Sequence, residues 1–421
     1  MVSSSVAAPV GRQAASSIPA AVPGGLPAVP ALPAAVRAMP AGVPSCAVID
    51  LDAVRDNVVA LREHAGGTPL MAVVKADGYG HGMVPVARAA LDAGADWLGV
   101  AQLGEAIALR AAGIRAPVLA WLAVPGDRFA EAVVAGVDLG ISAPWALDEV
   151  VAAVRQTGVP ARVQLKIDTG LGRNGCLPAD LPGLLDAALC AQAEGLLRLV
   201  GVFSHLACAD TPAHPSVPAQ VTAFEDVVAA VERAGAALEL RHLANSAATV
   251  AVPSSRFDLV RPGIAVYGLS PCPETAGSDR LGLRPAMTLL GRVALVKRVG
   301  AGQGVSYGLT HVTDRPSTLA LIPIGYGDGL PRHAGGVGPV LLNGRRAPIA
   351  GRVCMDQVVL DLGAPDAPAR EGDVAVLFGP GTHGEPTAQD WADAAGTISY
   401  EIVTRLGGRV PRSYLGERGD T

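Results

Sequence analysis

No C-x-x-C pair occurs among the six cysteines, Cys46, Cys176, Cys190, Cys208, Cys272 and Cys354. Such scatter gives neither a zinc site nor a disulfide framework, so a reducing, cytoplasmic setting and no bound metal are expected. Basic residues are not in excess: 33 Lys and Arg stand against 38 Asp and Glu, a formal net charge of -5. A surface built to neutralise nucleic-acid phosphates normally carries the opposite balance. The chain has no uninterrupted apolar run of membrane-spanning length. The Walker pattern and the dinucleotide fingerprint are also missing as strand-turn-helix motifs. Acidic residues are absent before Ser45, where prolines stand at 9, 19, 23, 27, 30, 33, 40 and 44. That proline density excludes a continuous helix or strand. Without a basic start and an unbroken apolar core, residues 1–44 read as a disordered tail and not as a secretory signal.

What remains is ample for burial. Half of the 421 residues are hydrophobic and 17% are charged, which fits a barrel plus a second domain. From about residue 52, with Asp52 at an N-cap position, amphipathic runs such as 53–65, 83–93 and 105–112 alternate with short apolar runs. Strands are expected at 70–74, 97–101, 117–121, 137–141, 162–167, 199–204, 238–243 and 257–260. Eight strands with helical crossovers predict an α/β fold, a (β/α)8 TIM-type barrel over 45–282. An open doubly wound sheet is the competing architecture. Past Pro271 the chain changes to short β-rich runs, 289–298, 318–324, 340–342, 353–360 and 374–378, with turns such as Asn343-Gly344. A mainly β C-terminal domain over 283–421 follows.

Active sites of such barrels lie at the C-terminal strand ends. The first of those ends carries Lys75, after Met71-Ala-Val-Val and before Ala76-Asp-Gly-Tyr79-Gly-His-Gly82. A lysine at the end of a buried strand suggests an amine that forms a Schiff base with a cofactor. The fifth end brings Lys166, Asp168 and the turn to Arg173; the sixth, Ser204 and His205; the seventh, Asn245 and Ser246; the eighth, Arg261, Gly263 and Ile264. Loops after strands seven and eight often bind phosphate in this architecture. A phosphorylated aldehyde beside a lysine points to pyridoxal 5′-phosphate.

The motifs AVVKADGYGHG, DTGLGRNG, SHLACAD, NSAA, RPGIAVYG, GVSYG, GYGDGLPR and GRVCMDQ together resemble the alanine racemase family, fold-type III pyridoxal-phosphate enzymes, from about Ala47 to Leu415. The resemblance implies that Lys75 carries the cofactor and is one catalytic base, with Tyr307 as the second. Two bases suit a reaction that removes a proton from one face of Cα and returns one to the other. A free tyrosine titrates near ~10, so hydrogen bonding from His205 and Arg261 would have to help. Arg261 would face the pyridine nitrogen and, as a poor proton donor, limit carbanion stabilisation and side reactions. Arg173 would meet the cofactor's phenolic oxygen and the substrate carboxylate. Lys166 would be carbamylated, an ion pair with Asp168 being the unmodified alternative. Phosphate contacts would come from Tyr79, Ser246, Gly263, Ile264 and Tyr400, with Asn245 nearby. Tyr326, Met355, through its backbone amide, and Asp356 would form the substrate side.

The resemblance also implies a head-to-tail homodimer in which Tyr307 and Met355 reach the partner's barrel, L- and D-alanine as substrates, and D-alanine supply for peptidoglycan. Three other readings compete. A racemase for serine or another amino acid would differ in a few pocket side chains, and a small pocket walled by Tyr307 and Tyr326 favours alanine. A non-catalytic pyridoxal-phosphate protein would lack both the β domain and Tyr307. A decarboxylase of the same fold type would place a carboxylate where Arg261 stands.

Overall fold

The computed structural model describes residues 34–417; the tail expected over 1–44 lies outside the described residues as far as residue 33. From Ala34 the chain is ordered against the body. A helical turn at Ala34–Arg37 buries Val36, and Met39 follows it onto Cys46, Val48, Leu290 and Val376.

The first strand, β1 (Ser45–Asp50), does not belong to the barrel, although the sequence division had grouped it there. It is inserted between strands from the far end of the chain, antiparallel to β9 (Met287–Arg292) and parallel to β18 (Arg412–Leu415). Its burial on both faces explains the choice, since Cys46, Ala47, Val48 and Ile49 are all inaccessible or nearly so. The β domain is thus pinned to both ends of the described chain.

The helix Leu51–His64 then leads into the parallel sheet of β2 (Met71–Val73), β3 (Trp97–Val100), β4 (Val118–Ala120), β5 (Asp138–Ile141), β6 (Ala161–Lys166), β7 (Leu197–Phe203) and β8 (Leu240–His242). Neighbours in sequence are neighbours in the sheet, the order expected when each crossover is a helix. These strands read as unbroken apolar runs because helices cover one face and the barrel interior the other. The eighth strand, expected over 257–260, shrinks to one bridge between Val260 and Leu70. Phe257 adopts φ +47°, which an extended strand cannot accommodate, and Pro262 has no N–H for a ladder. Closure survives through Met71 N–H to Val260 O (2.8 Å) and Val73 N–H to Pro262 O (3.0 Å).

The β domain holds the order β15-β14-β17-β9-β1-β18, with β14 (Pro339–Leu342), β15 (Arg345–Pro348) and β17 (Val374–Phe378). Between β14 and β15, Asn343 and Gly344 both take positive φ, 49° and 78°, the mirror-image turn expected of Asn-Gly. The run 289–298 breaks after Arg292: β10 (Leu295–Val299) leaves to pair with β13 (Ser317–Ile322), which also pairs with β16 (Val358–Asp361). β16 begins five residues later than expected, because the GRVCMD segment is loop. A short hairpin of β11 (Gly304–Val305) and β12 (His311–Val312) carries the GVSYG motif.

Asp50, and not Asp52, caps the first long helix. Its carboxylate accepts the Ala53 N–H at 3.1 Å and also pairs with Arg284, while Asp52 sits inside the first turn and binds Arg55 at 2.8 Å. Loss of such a cap costs about 1 kcal/mol. Asp50→Ala is therefore expected to lower stability by roughly 1–2 kcal/mol in urea denaturation, and Asp52→Ala by clearly less; equal losses would contradict the capping assignment.

Candidate active site

A cavity of about 1100 Å³ opens at the C-terminal ends of the barrel strands. Its wall includes Lys75, Tyr79, Lys166, Arg173, His205, Asn245, Ser246, Arg261, Gly263, Ile264 and Tyr400, so eleven of the expected residues converge on one space. Each arrives by a different route.

Lys75 stands two residues past the end of β2, and the chain then coils left-handed. Ala76 (φ 54°, ψ 52°), Asp77 (52°, 47°) and Gly78 (60°, 46°) form the turn, and Tyr79 keeps φ at 51°. For non-glycine residues this conformation costs roughly 1–2 kcal/mol each, so the surroundings must impose it. Glu105 accepts the Ala76 N–H at 2.6 Å, and Asp77 accepts the Met83 N–H at 2.9 Å. The result carries the Lys75 Nζ over the Tyr79 ring, 5.9 Å from its centroid.

At the end of β6, Asp168 does not pair with Lys166, contrary to the alternative weighed from the sequence. Its carboxylate is consumed by four successive amides, those of Gly170, Leu171, Gly172 and Arg173, at 2.9–3.1 Å. The DTGLGRNG turn is a backbone nest around one carboxylate, and it projects Arg173 into the cavity. Lys166 is left among cations. Burial first, then Arg261, Arg173 and Lys75, bring its pKa down to about 8. Lys75 is lowered as well, by burial first and Arg173 second. His205 falls to about 3 through burial and the four neighbouring cations, and is therefore a neutral ring.

Arg261 is fixed from below. Its Nη2 donates to Ser204 O (2.6 Å) and Leu243 O (3.2 Å), and its Nη1 donates to His242 Nδ1 at 2.9 Å. An arginine can only donate, so His242 must carry its proton on Nε2, which donates to Gln164 Oε1 at 2.7 Å. Gln164 in turn donates to Asp138 (2.9 Å), which Arg162 holds at 2.8 Å. Phe203 stacks flat on His242, 2° from parallel. This buried chain through the barrel keeps Arg261 in place, and its pKa of about 9, lowered by burial, leaves it cationic at neutral pH. Of these residues only Arg261 and Ser204 were singled out from the sequence. The usable signal for the rest was Arg162, Gln164 and Lys166 at alternate positions of an otherwise apolar strand, all on one face.

The loops after β8 form a cradle. Ser246 Oγ accepts the Gly263 N–H at 2.8 Å, and Asn245 caps the short helix that follows by accepting the Ala248 N–H. A Cβ on Gly263 would lie 2.3 Å from the Tyr79 Oη, so this position has room only for glycine. Tyr79 and Tyr400 face each other with centroids 6.3 Å apart.

Four expected residues are elsewhere in the single chain. Tyr307, Tyr326, Met355 and Asp356 do not line the cavity. Tyr307 is 70% exposed, beside Ser306, whose φ of 63° is held by a bond from its hydroxyl to Arg352 O. Met355 is 54% exposed and Asp356 pairs with Arg409 at 2.8 Å. Arg261, expected to bond Tyr307, spends its terminal nitrogens on the barrel.

Residues 49–271 match the model of the alanine racemase N-terminal domain, and residues 286–414 match that of the C-terminal domain. The chain belongs to the alanine racemase family. It is 59% identical to an alanine racemase of Frankia casuarinae over 88% of this chain and 96% of that one. It is 60% identical to one of Beutenbergia cavernae over 89% and 99%. The crystal structure of alanine racemase from the D-cycloserine producing Streptomyces lavendulae superposes with a TM-score of 0.88 at 56% identity, covering 90% of this chain and 99% of that chain. A Bacillus anthracis alanine racemase with bound L-Ala-P gives 0.81 at 35% identity, covering 90% and 96%. The family's members are isomerases that use pyridoxal 5′-phosphate. The cavity fits that group: an amine at Lys75, a glycine-only cradle with amides and hydroxyls for a phosphate, and the cations Lys166, Arg173 and Arg261 for its negative charge.

Two predictions follow from this geometry. Gly263→Ala should weaken pyridoxal 5′-phosphate binding at least tenfold in an absorbance titration, on the clash with Tyr79; unchanged affinity would contradict the cradle. His81 and His242 are fully buried, with His81 held down to about 4 and His242 well below the ordinary value by burial. Unfolded histidine protonates near ~6.5. Stability should therefore be full above that pH and decline as pH falls toward 4, by about 1.4 kcal/mol per pH unit for each ring. A urea midpoint that does not move between pH 7 and pH 5 would contradict this.

Proposed function

We propose that the chain interconverts L-alanine and D-alanine by proton exchange at Cα, with Lys75 and Tyr307 as the two bases. The observation that carries the reading is Lys75, placed beside a glycine-only cradle inside a cavity crowded with cations. Pyridoxal 5′-phosphate, when bound, supplies an aldehyde that captures amines and a ring that withdraws electrons from Cα.

The protein's own groups do the rest. Tyr79, Tyr400, Ser246 and the amides of Gly263 and Ile264 would hold the phosphate, with Asn245 ordering the loop. Arg261 would face the pyridine nitrogen, where a guanidinium that only donates and stays charged would limit how far the ring accepts electrons. That favours returning the proton over side reactions. Arg173 binds the planar carboxylate. Lys75 Nζ takes or returns the Cα proton on one face, helped by a lowered pKa that keeps more of the amine neutral near pH 7. Lys166, with its pKa near 8 and three cations around it, is suited to carbamylation, because the neutral amine reacts and the product is an anion.

Tyr307 serves the opposite face from a second copy of the chain. Its exposure, with Leu309 at 62%, Met355 at 54% and Tyr326 at 40%, marks an uncovered apolar and aromatic surface on the β domain. A head-to-tail homodimer covers that surface and delivers Tyr307, Tyr326, the Met355 amide and Asp356 to the partner's cavity. All six cysteines are free, which accords with a cytoplasmic enzyme, and among the described residues no helix is long and apolar enough to cross a membrane. D-alanine supply for peptidoglycan is the role assigned here.

The protein should show a near-ultraviolet or violet absorption band that Lys75→Ala removes together with activity. Tyr307→Phe should keep the band and lose 10²–10⁴-fold in rate, the range of a general base. In deuterated water L-alanine should yield D-alanine labelled at Cα. Faster turnover of L-serine than of L-alanine would overturn the substrate assignment, and an undiminished band in Lys75→Ala would overturn the lysine.

A further inference from the structure

His81 lies outside the cavity wall, yet everything about its setting concerns the turn that carries Lys75. The ring is fully buried. Its Nδ1 lies 3.1 Å from Gly78 O and 2.9 Å from Tyr79 O, the carbonyls of the last two residues of the left-handed coil. Both partners are acceptors, so Nδ1 carries the proton and is shared between them. Nε2 is then a bare lone pair, and among the described residues it has no partner.

That combination is informative because it is expensive. A buried acceptor with nothing to accept from loses its hydration without replacement, and an apolar side chain of similar reach would avoid the loss. Burial pulls the ring's pKa to about 4, so it is neutral and supplies no charge. What the histidine contributes that leucine could not is the Nδ1–H. It is aimed at a segment where Ala76, Asp77 and Tyr79 all hold positive φ without being glycine.

The ring is itself held. It packs on Tyr267 with centroids 4.5 Å apart, and Tyr267 packs on Tyr79 at 4.8 Å. The Tyr267 hydroxyl donates to Val73 O at 3.0 Å, two residues before Lys75. One buried aromatic cluster thus touches the turn on both sides of the lysine. Arg412 ties down the next carbonyl, with Nε donating to Gly80 O at 3.0 Å.

We propose that His81 is a positioning residue for the reaction: its Nδ1–H, bridging the Gly78 and Tyr79 carbonyls, fixes the left-handed turn that aims the Lys75 amine and the Tyr79 hydroxyl into the cavity. The inference rests on the reading of Lys75 as the cofactor lysine. Tyr79 is both the second bridged residue and the wall against which Gly263 packs, so the bridge ties the turn to the cradle.

Asparagine and leucine have nearly the same shape and differ in the donor, so His81→Asn and His81→Leu separate hydrogen bonding from packing. The full-length holoenzyme of each is compared with the parent by the dissociation constant of pyridoxal 5′-phosphate, from its absorbance, and by kcat and KM for L-alanine. His81→Asn should stay within threefold of the parent in both cofactor affinity and kcat. His81→Leu, folded by circular dichroism, should bind the cofactor about tenfold more weakly and lose at least tenfold in kcat with KM changed less. Parent-like behaviour of His81→Leu overturns the proposal, as does a His81→Asn chain that is impaired like the leucine variant or does not fold. Should only the leucine variant fail to fold, His81→Asn decides by the same criterion. Failure of the underlying function would be visible separately, as absence of the lysine-dependent band in the parent.

Discussion

Four cationic side chains, Lys75, Lys166, Arg173 and Arg261, line one cavity at the mouth of the barrel, and among the described residues none of them forms an ion pair there. Like charges at short range in a poorly hydrated space repel by several kcal/mol if left alone. The site's other features answer to that constraint. Both lysines have lowered pKa values, His205 is neutral, and Arg261 delocalises its demand for acceptors into a buried relay. Asp168, two residues after Lys166, is saturated by backbone amides. A cavity arranged in this way is incomplete without an anion, and a phosphate-bearing cofactor with a carboxylate substrate meets the need.

Positioning follows from backbone geometry more than from side-chain packing. The coil after Lys75 occupies a region that L-residues avoid, and it is sustained by Glu105, Asp77 and His81 acting on separate amides and carbonyls. At the opposite wall, Gly263 brings the backbone within reach of Tyr79 because it has no Cβ. The two approaches set one distance between them, that across the phosphate cradle. The β domain adds the last component by anchoring β1 and β18 next to the barrel, while Tyr307 and Met355 stay exposed on its other surface.

Much of this was legible in the residues. Strand-end chemistry was readable because apolar runs of period-free burial stop at polar residues, so Lys75, Lys166, His205, Asn245 and Arg261 could each be placed at a rim. The Asn343-Gly344 hairpin was readable from turn chemistry alone. Long-range choices were not. Nothing local in Ser45–Asp50 says that it will pair with residues 287–292 and 412–415 instead of with the barrel. The eighth strand failed at Phe257, whose positive φ is incompatible with an extended ladder. The Asp168 nest, the Arg261 relay and the neutral His81 depend on burial and direction, which a sequence carries only as alternation or not at all. Asp52 was expected as the cap, yet Asp50 holds that place, because β1 runs on to Asp50 and the helix starts at Leu51.

The central claim is that one active site is built by two chains, Lys75 from one and Tyr307 from the other. It is tested most directly by mixing. Lys75→Ala and Tyr307→Phe proteins, each nearly inactive alone, are combined under conditions where subunits exchange, and hybrid formation is followed by native mass spectrometry. A hybrid dimer should contain one site with both residues intact, so racemisation should return at roughly half the parent's rate per hybrid. Hybrids that form and remain inactive would place Lys75 and Tyr307 in the same chain's site, or remove Tyr307 from the chemistry, and either would contradict the account.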